Sequence, residues 1–244
     1  VSNNQTTALI SGANKGLGFE TARQLAARGI AVVIGSRDIR AGRRAAGDIV
    51  RQGGTAHAVA LDVTDQASIA TAVSTILEMG HGLDILINNA AIIIEVSATR
   101  TTANDMAHVF APNVFGVVEL TTQCLPLLAM SPRARIVNVT STTGSLALTA
   151  AGHDFGGNAW ARMAYSSSKA ALNMVTIHLA AALREDPTLR HIKVNAVTPG
   201  YVGTNDHPGT RTVEEGARII VDMALIGDEG PSGGFFNDRG AVAW

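Results

Sequence analysis

Short β-branched runs alternate with longer amphipathic stretches along the whole chain, and no other property of the sequence restricts its fold as much. Strand-like runs fall at Thr7–Ile10, Ala31–Ser36, Ala56–Val63, Ile85–Asn89, Arg135–Ser141, Lys193–Thr198 and near Gly233–Asn237. Helical patterning covers Gly16–Arg28, Ile39–Gln52, Gln66–Met79, Ala103–Met130, Ala164–Glu185 and Val213–Ile226. The strand runs are almost continuously apolar, as strands covered on both faces are. Strict alternation needs right-handed crossovers and therefore parallel neighbours. The expected fold is α/β, a single-domain doubly wound parallel sheet of about seven strands with helices on both faces. No repeat or linker divides the chain, so one domain is expected over residues 1–244.

Composition excludes several function classes. A formal charge of −1 gives no electrostatic reason for a nucleic-acid or anionic-membrane partner. No run approaches the ~18 apolar residues of a membrane span. Val1–Thr7 has neither the basic patch nor the apolar core of a secretory leader. One cysteine, Cys124, cannot pair within the chain and sits in the apolar run Val117–Leu128, which reads as a buried structural thiol. A soluble, cytoplasmic protein is expected. The seven histidines show no metal-ligand spacing, so no metal is expected.

The segment Ser11-Gly-Ala-Asn-Lys-Gly-Leu-Gly18 follows the first strand and opens the first helix. Gly12 permits a tight turn, Gly16 lets backbone approach a pyrophosphate, and Gly18 allows close helix packing. The N–H groups and positive dipole end of the helix then face the phosphates. Glycines alone also fit an ordinary strand-to-helix turn, and it is the strand-then-helix context that points to a Rossmann fold and a dinucleotide. At the end of the second strand stands Ser36-Arg37, where a carboxylate would hold a free 2′-hydroxyl and an arginine a 2′-phosphate. Arg37 and Lys15 therefore favour NADP(H) over NAD(H). Asp38 argues the other way unless it caps the following helix. Arg40, Arg43, Arg44 and Arg51 read as a solvated helix face, although Arg40 is near enough to the first turn to approach a phosphate.

Tyr165-Ser-Ser-Ser-Lys169 opens the helix that carries Leu172, Val175 and Leu179. A separation of four puts Tyr165 and Lys169 on one face. A neighbouring ammonium, together with the positive ring of an oxidised nicotinamide, favours phenolate and lowers the tyrosine pKa, which makes acid–base chemistry practical. Ser141 closes the fifth strand at the carboxyl edge, where its hydroxyl can donate to a substrate oxygen. Thr140 and Thr142 are alternatives, and Ser141 is preferred because Gly144 follows it by three. Asn88-Asn89 ends the fourth strand at the same edge. Asn113 follows Pro112 within a helical pattern, and a proline there frees the carbonyl of His108 and kinks the helix.

Together these residues resemble the short-chain dehydrogenase/reductase family through nearly the whole chain. The matching pieces are Gly12-Ala-Asn-Lys-Gly-Leu-Gly18, Asp62-Val63, Asn88-Asn-Ala90, Asn113, Ser141, Tyr165-x-x-x-Lys169 and Pro199-Gly200 with Thr204. Asn14-Lys15 and Gly230-Pro-Ser-Gly-Gly-Phe-Phe look most like its NADPH-dependent carbonyl reductase branch. The resemblance implies a hydride transfer between NADPH and a small-molecule ketone or aldehyde, or the corresponding secondary alcohol. It makes Tyr165 the general acid or base, Lys169 the holder of the nicotinamide ribose, Ser141 the carbonyl polariser and Asn113 the anchor of a water in a proton relay. It places Gly12, Asn14, Lys15, Gly16, Leu17 and Gly18 around the phosphates, and Asp62 and Val63 around the adenine. Asn89 and Ala90 would flank the adenine-side ribose, with Pro199, Gly200, Val202 and Thr204 near the carboxamide. A homo-oligomer is compatible with it.

The sequence departs from the family in places. Ser11 stands for threonine and Ala91 for glycine. Ser141 and Tyr165 lie 24 positions apart, more than compact members use. The extra segment Leu146–Met163, with His153, Asp154 and Trp160, is expected to roof the substrate pocket or alter an oligomer interface. Tyr201–Arg211 makes a short substrate lid.

Rival readings have less support. Gly230-Pro-Ser-Gly-Gly234 fits a hydrolase elbow, but no histidine follows Ser232. A dinucleotide-sensing regulator on the same fold would not need Asn113, Ser141, Tyr165 and Lys169 together. An NAD(P)-dependent secondary alcohol dehydrogenase working in the oxidative direction would use the same site.

Overall fold

A computed structural model describes residues 5–80, 82–203 and 209–244. Eight strands form one sheet in the order β3-β2-β1-β4-β5-β6-β7-β8. These are β1 (Thr7–Ser11), β2 (Ala31–Ser36), β3 (Ala56–Ala60), β4 (Ile85–Asn88), β5 (Arg135–Val139), β6 (Lys193–Val197), β7 (Phe235–Asn237) and β8 (Gly240–Ala241). All neighbours are parallel except β7 and β8. The expected doubly wound sheet is present. β8 is an addition to the seven anticipated strands: two residues at a chain reversal carry too little pattern to be read in a sequence.

The helices are α1 (Gly16–Ala26), α2 (Ile39–Arg51), α3 (Gln66–Glu78), α4 (Ala103–Phe110), α5 (Gly116–Ala129), α6 (Leu146–Ala150), α7 (Met163–Glu185) and α8 (Val213–Ala224). One apolar cluster joins α1, α2 and α8 to a sheet face through Leu25, Ile49, Ile219 and Ile220. A second, on the other face, joins α3, α5 and α7 through Ile69, Ile76, Leu120, Leu127 and Leu183. Every residue of β1, β2, β4 and β5 is buried, which accounts for their nearly continuous apolar character. Cys124 lies fully buried in the second cluster, and burial pushes its thiol up to about 12, as suits a structural residue.

Helix ends follow local chemistry. Asp38 accepts from the Arg40 and Ala41 N–H groups and so caps α2. Thr212 and Glu215 make the capping box that opens α8. The helical run 103–130 is broken, as Pro112 requires, by one π turn at Ala111–Phe115. Proline lacks the N–H for an ordinary turn and its ring crowds the carbonyl four residues back, so the helix widens locally. Among the described residues, no helix is long and apolar enough to cross a membrane.

Candidate active site

Strand order reverses between β1 and β4, because β2 lies on one side of β1 and β4 on the other. A crevice opens at such a point beyond the carboxyl ends of the strands. The loop after β1 enters it with Gly12 at φ +66° and Gly16 at φ +57°, a region open to glycine and strained for other residues. A Cβ on Gly18 would lie 2.5 Å from Asn89 Nδ2 and 2.7 Å from the Gly12 carbonyl oxygen. The third glycine thus lets α1 close on its own loop and on the end of β4, rather than on strand β1 alone. Ser11 fastens the two sides: its hydroxyl accepts from the N–H groups of Asn89 and Ala90, each at 3.0 Å. Asn89 Nδ2 in turn donates to the Ser11 carbonyl at 2.9 Å and the Gly12 carbonyl at 3.3 Å.

At the mouth of the loop, Lys15 holds the N-cap position of α1 with no side chain capping the helix. The N–H groups of the first turn therefore face the crevice, a cradle suited to an anionic dinucleotide. Leu17 faces inward: Val202, Leu17 and Pro199 all converge on Gly216, whose Cβ would lie 2.4 Å from Val202 Cγ2 and 3.4 Å from the other two. Pro199 and Val202 are thus brought beside Leu17 of the glycine turn, while Gly200, at φ +79°, lies against the Arg211 side chain. Thr204 lies outside the described residues, as does part of the short lid. Asn14 sits half-buried in the same turn.

The crevice's far corner holds Arg37 and Asp62. Asp62 is held below the usual carboxylate range, chiefly by its bond from the Thr64 hydroxyl and further by the Arg37 charge. Val63 is buried beside it. Arg40, Arg43, Arg44 and Arg51 are all exposed, as a solvated face should be.

Ser141, Tyr165 and Lys169 gather across the crevice. The turn Thr142–Gly144 lies directly on α7, where a Cβ on Gly144 would meet the Lys169 carbonyl carbon at 2.7 Å. Ser141 Oγ accepts from the Thr143 N–H at 3.2 Å and from the Thr143 hydroxyl at 3.0 Å. With both lone pairs engaged, its own O–H is left as a donor. Thr140 is buried and spends its hydroxyl on the Val197 carbonyl, which removes it as an alternative. Lys169 Nζ donates to the Val139 carbonyl at 2.8 Å and lies 5.5 Å from the centre of the Tyr165 ring.

Burial dominates the electrostatics of these two side chains. Burial raises the Tyr165 phenol to about 12, opposed by its interaction with Ser141 and by the Arg162 charge. Burial also lowers Lys169 to about 7, so near neutral pH it carries only part of a charge. Spacing of four on a helix correctly joined the two side chains, but it carried no information on the depth at which both would sit.

Asn113 lies in the π turn, fully buried. Its Oδ1 accepts from the Ile92 N–H at 2.9 Å, and its Nδ2 donates to the Ile92 carbonyl and to Ser168 Oγ, each at 3.0 Å. Both side-chain donors are used, while Oδ1, with one bond accepted, keeps a lone pair. Ser168 also donates to the Tyr165 carbonyl at 2.6 Å. Sequence reading passed over Ser168 and Thr143. Helical phase supplied a signal for Ser168, three residues on from Tyr165, but among three consecutive serines nothing marked it as buried.

Asn88 serves the sheet, donating to Thr121 Oγ1 and to Asn138 Oδ1 beneath the site. The segment between Ser141 and Tyr165 forms α6, a short 3-10 turn at Ala159–Ala161, and a chain of ring contacts from His153 through Phe155 to Trp160. Gly156 and Gly157 pack against the Tyr201 ring, so this segment meets the loop after β6 at the edge of the crevice. Among the described residues, no cluster of His, Cys, Asp and Glu could hold a metal ion.

A family model described as short chain dehydrogenase matches residues 6–215. The (−)-isopiperitenone reductase of Mentha piperita is 31% identical, with 98% of each chain covered. The (+)-neomenthol dehydrogenase of Arabidopsis thaliana is 34% identical over 95% of this chain and 96% of that one. Among solved structures, the NADPH-bound carbonyl reductase from chicken fatty liver superposes with a TM-score of 0.83 at 28% identity, covering 99% of this chain and 100% of that one.

Proposed function

The chain belongs to the short-chain dehydrogenase family, whose members are oxidoreductases acting on carbonyl and alcohol substrates, and from this premise we propose that it is an NADPH-dependent reductase of small ketones or aldehydes with Tyr165 as general acid. The observation that carries the reading is the meeting of Ser141, Tyr165 and Lys169 across one crevice from the glycine turn.

The residues present fit a nicotinamide dinucleotide. Gly12 and Gly16 have the backbone conformation, α1 has an uncapped N-terminus, and Arg37 stands at the adenosine corner to meet a 2′-phosphate. When bound, the dinucleotide supplies the hydride for the carbonyl carbon and positive charge in its oxidised form. Ser141 donates its O–H to the carbonyl oxygen and polarises it. As the carbon–oxygen π bond opens, Tyr165 delivers its proton to that oxygen. Lys169 would hold a ribose hydroxyl of the dinucleotide and, with a pKa near neutrality, can return a proton to the phenolate. Asn113, in its π turn, is assigned the anchor of the water that relays the proton onward.

A phenol raised to about 12 stands protonated near neutral pH, the form from which Tyr165 would act as the acid in reduction. Resemblance to a neomenthol dehydrogenase keeps oxidation of a secondary alcohol as the second reading at the same site. Tyr165→Phe tests both. The phenol's contribution to acid catalysis predicts a fall in turnover of roughly 100- to 10,000-fold. NADPH affinity, measured by fluorescence titration, should stay within about threefold of the parent, an interval set by the loss of at most one weak hydrogen bond. Retained turnover on a panel of aldehydes, ketones and quinones would refute the assignment.

A further inference from the structure

Arg162 stands where helix chemistry does not ask for an arginine. It holds the N-cap position of α7, has no acceptor to offer the helix, and brings positive charge to the positive end of the dipole. Glu95, on the loop after β4, compensates: Arg162 donates to Glu95 Oε1 from Nε at 2.9 Å and from Nη2 at 2.6 Å. Asn158 Nδ2 donates to Glu95 Oε2 at 3.3 Å. The backbones meet as well, in a parallel bridge between Val96 and Arg162. The Arg162 side chain is 13% exposed and that of Glu95 38%, so the cation is the more deeply set of the two.

Tyr165 begins one turn further along α7. Arg162, at the N-cap, precedes Tyr165 by three residues and so shares its side of the helix. Lys169 Nζ lies 5.5 Å from the Tyr165 ring centre, Ser141 after β5 interacts with the phenol, and Glu95 is joined to Arg162. The segment packed over this corner adds His153, edge-on to Phe155, and Asp154, which accepts from the Gly156 N–H. Tyr201 closes the side after β6 against Gly157.

We propose that Arg162 and Glu95 are positioning residues of the oxidoreductase site, in which Arg162 presents positive charge to Tyr165 while Glu95 fixes the guanidinium and moderates that charge. The Arg162 charge acts on the phenol against the burial that raises its pKa. The pair thus sets how readily Tyr165 gives and regains its proton, and ties that setting to the loop flanking the crevice. This rests on Tyr165 being the acid–base group.

Charge can be separated from structure, because Glu95→Gln and Arg162→Gln disturb the same ion pair but alter charge in opposite senses. Glu95→Gln leaves the cation unbalanced and favours phenolate. Arg162→Gln leaves the carboxylate and disfavours it. Chain-wide there are two tyrosines, so a Tyr201→Phe background makes near-ultraviolet phenolate absorbance report Tyr165 alone. In that background Glu95→Gln should move the titration to lower pH and Arg162→Gln to higher pH, each by roughly one unit. The pH profile of cyclohexanol oxidation with NADP should shift in the same two directions, and both Arg162→Lys and the double Gln variant should return close to the parent. Shifts of one sign in the two single variants, or profiles that superimpose on the parent, would overturn the proposal. A Tyr165→Phe control that kept its turnover would instead remove the reading beneath it.

Discussion

Replacing Asn113 with leucine removes a buried amide whose three hydrogen bonds hold the π turn, the loop after β4 and helix α7 together. Leucine keeps the branching but neither donates nor accepts. The Ile92 N–H and carbonyl and one acceptor site on Ser168 then lose their partner within a fully buried position. At about 1 kcal/mol net per bond, and more for a buried group left unpaired, the loss comes to roughly 3–5 kcal/mol. In a chain of this size each kcal/mol moves the melting temperature by roughly 2–4 °C, so a fall of about 10 °C is expected. Ser168→Ala removes the Asn113 bond and the one to the Tyr165 carbonyl, and should lower the melting temperature by about 4 °C. Because the two variants share one bond, the double variant should lose less than the sum. Differential scanning calorimetry of all four proteins decides the matter. A loss below about 3 °C for Asn113→Leu, a range typical of surface changes, or strict additivity in the double variant, would refute the claim that this network holds the site.

Arg37→Glu should raise the KM for NADPH by at least about tenfold, from the loss of a charge-assisted phosphate contact, while leaving NADH little changed; equal effects on the two cofactors would refute the 2′-phosphate role. Lys169→Met addresses pH. Folding lowers the lysine pKa from 10.5 to about 7, so between those values the unfolded chain binds the extra proton and stability rises with pH. Tyr165 works the other way above about pH 10, where its raised pKa makes the folded chain the more protonated. Urea midpoints of the cofactor-free protein should therefore climb between pH 7 and pH 10 by an amount that Lys169→Met abolishes, and parallel curves for the two proteins would show that burial does not hold Lys169 neutral.

Much of this molecule could be read before its fold was known, and the parts that could share a cause. Strand runs such as Ala31–Ser36, the glycine turn, the capping box at Thr212 and the pairing of Tyr165 with Lys169 are all consequences of local periodicity or backbone need. Pro112 announced a break in its helix for the same reason, although not that the break would be a π turn. Other features had no local signature. Asn113 was placed in the site, but its bonding to Ile92 and Ser168 comes from chain segments 21 and 55 residues away. Thr143 makes Ser141 a donor only because the chain turns there. Arg162 and Glu95 are 67 residues apart and look like ordinary surface charges in the sequence.

The sequence by itself determined a doubly wound sheet, the crevice at its carboxyl edge and the residue types gathered there, since each follows from patterns within a few turns of chain. Tertiary structure decided the electrical state of those residues. Burial raises Tyr165 and lowers Lys169, and Arg162 enters the balance from outside the motif. The reason is physical: spacing fixes which side chains share a helix face, whereas a pKa depends on the water that the rest of the fold removes and on the charges it brings near.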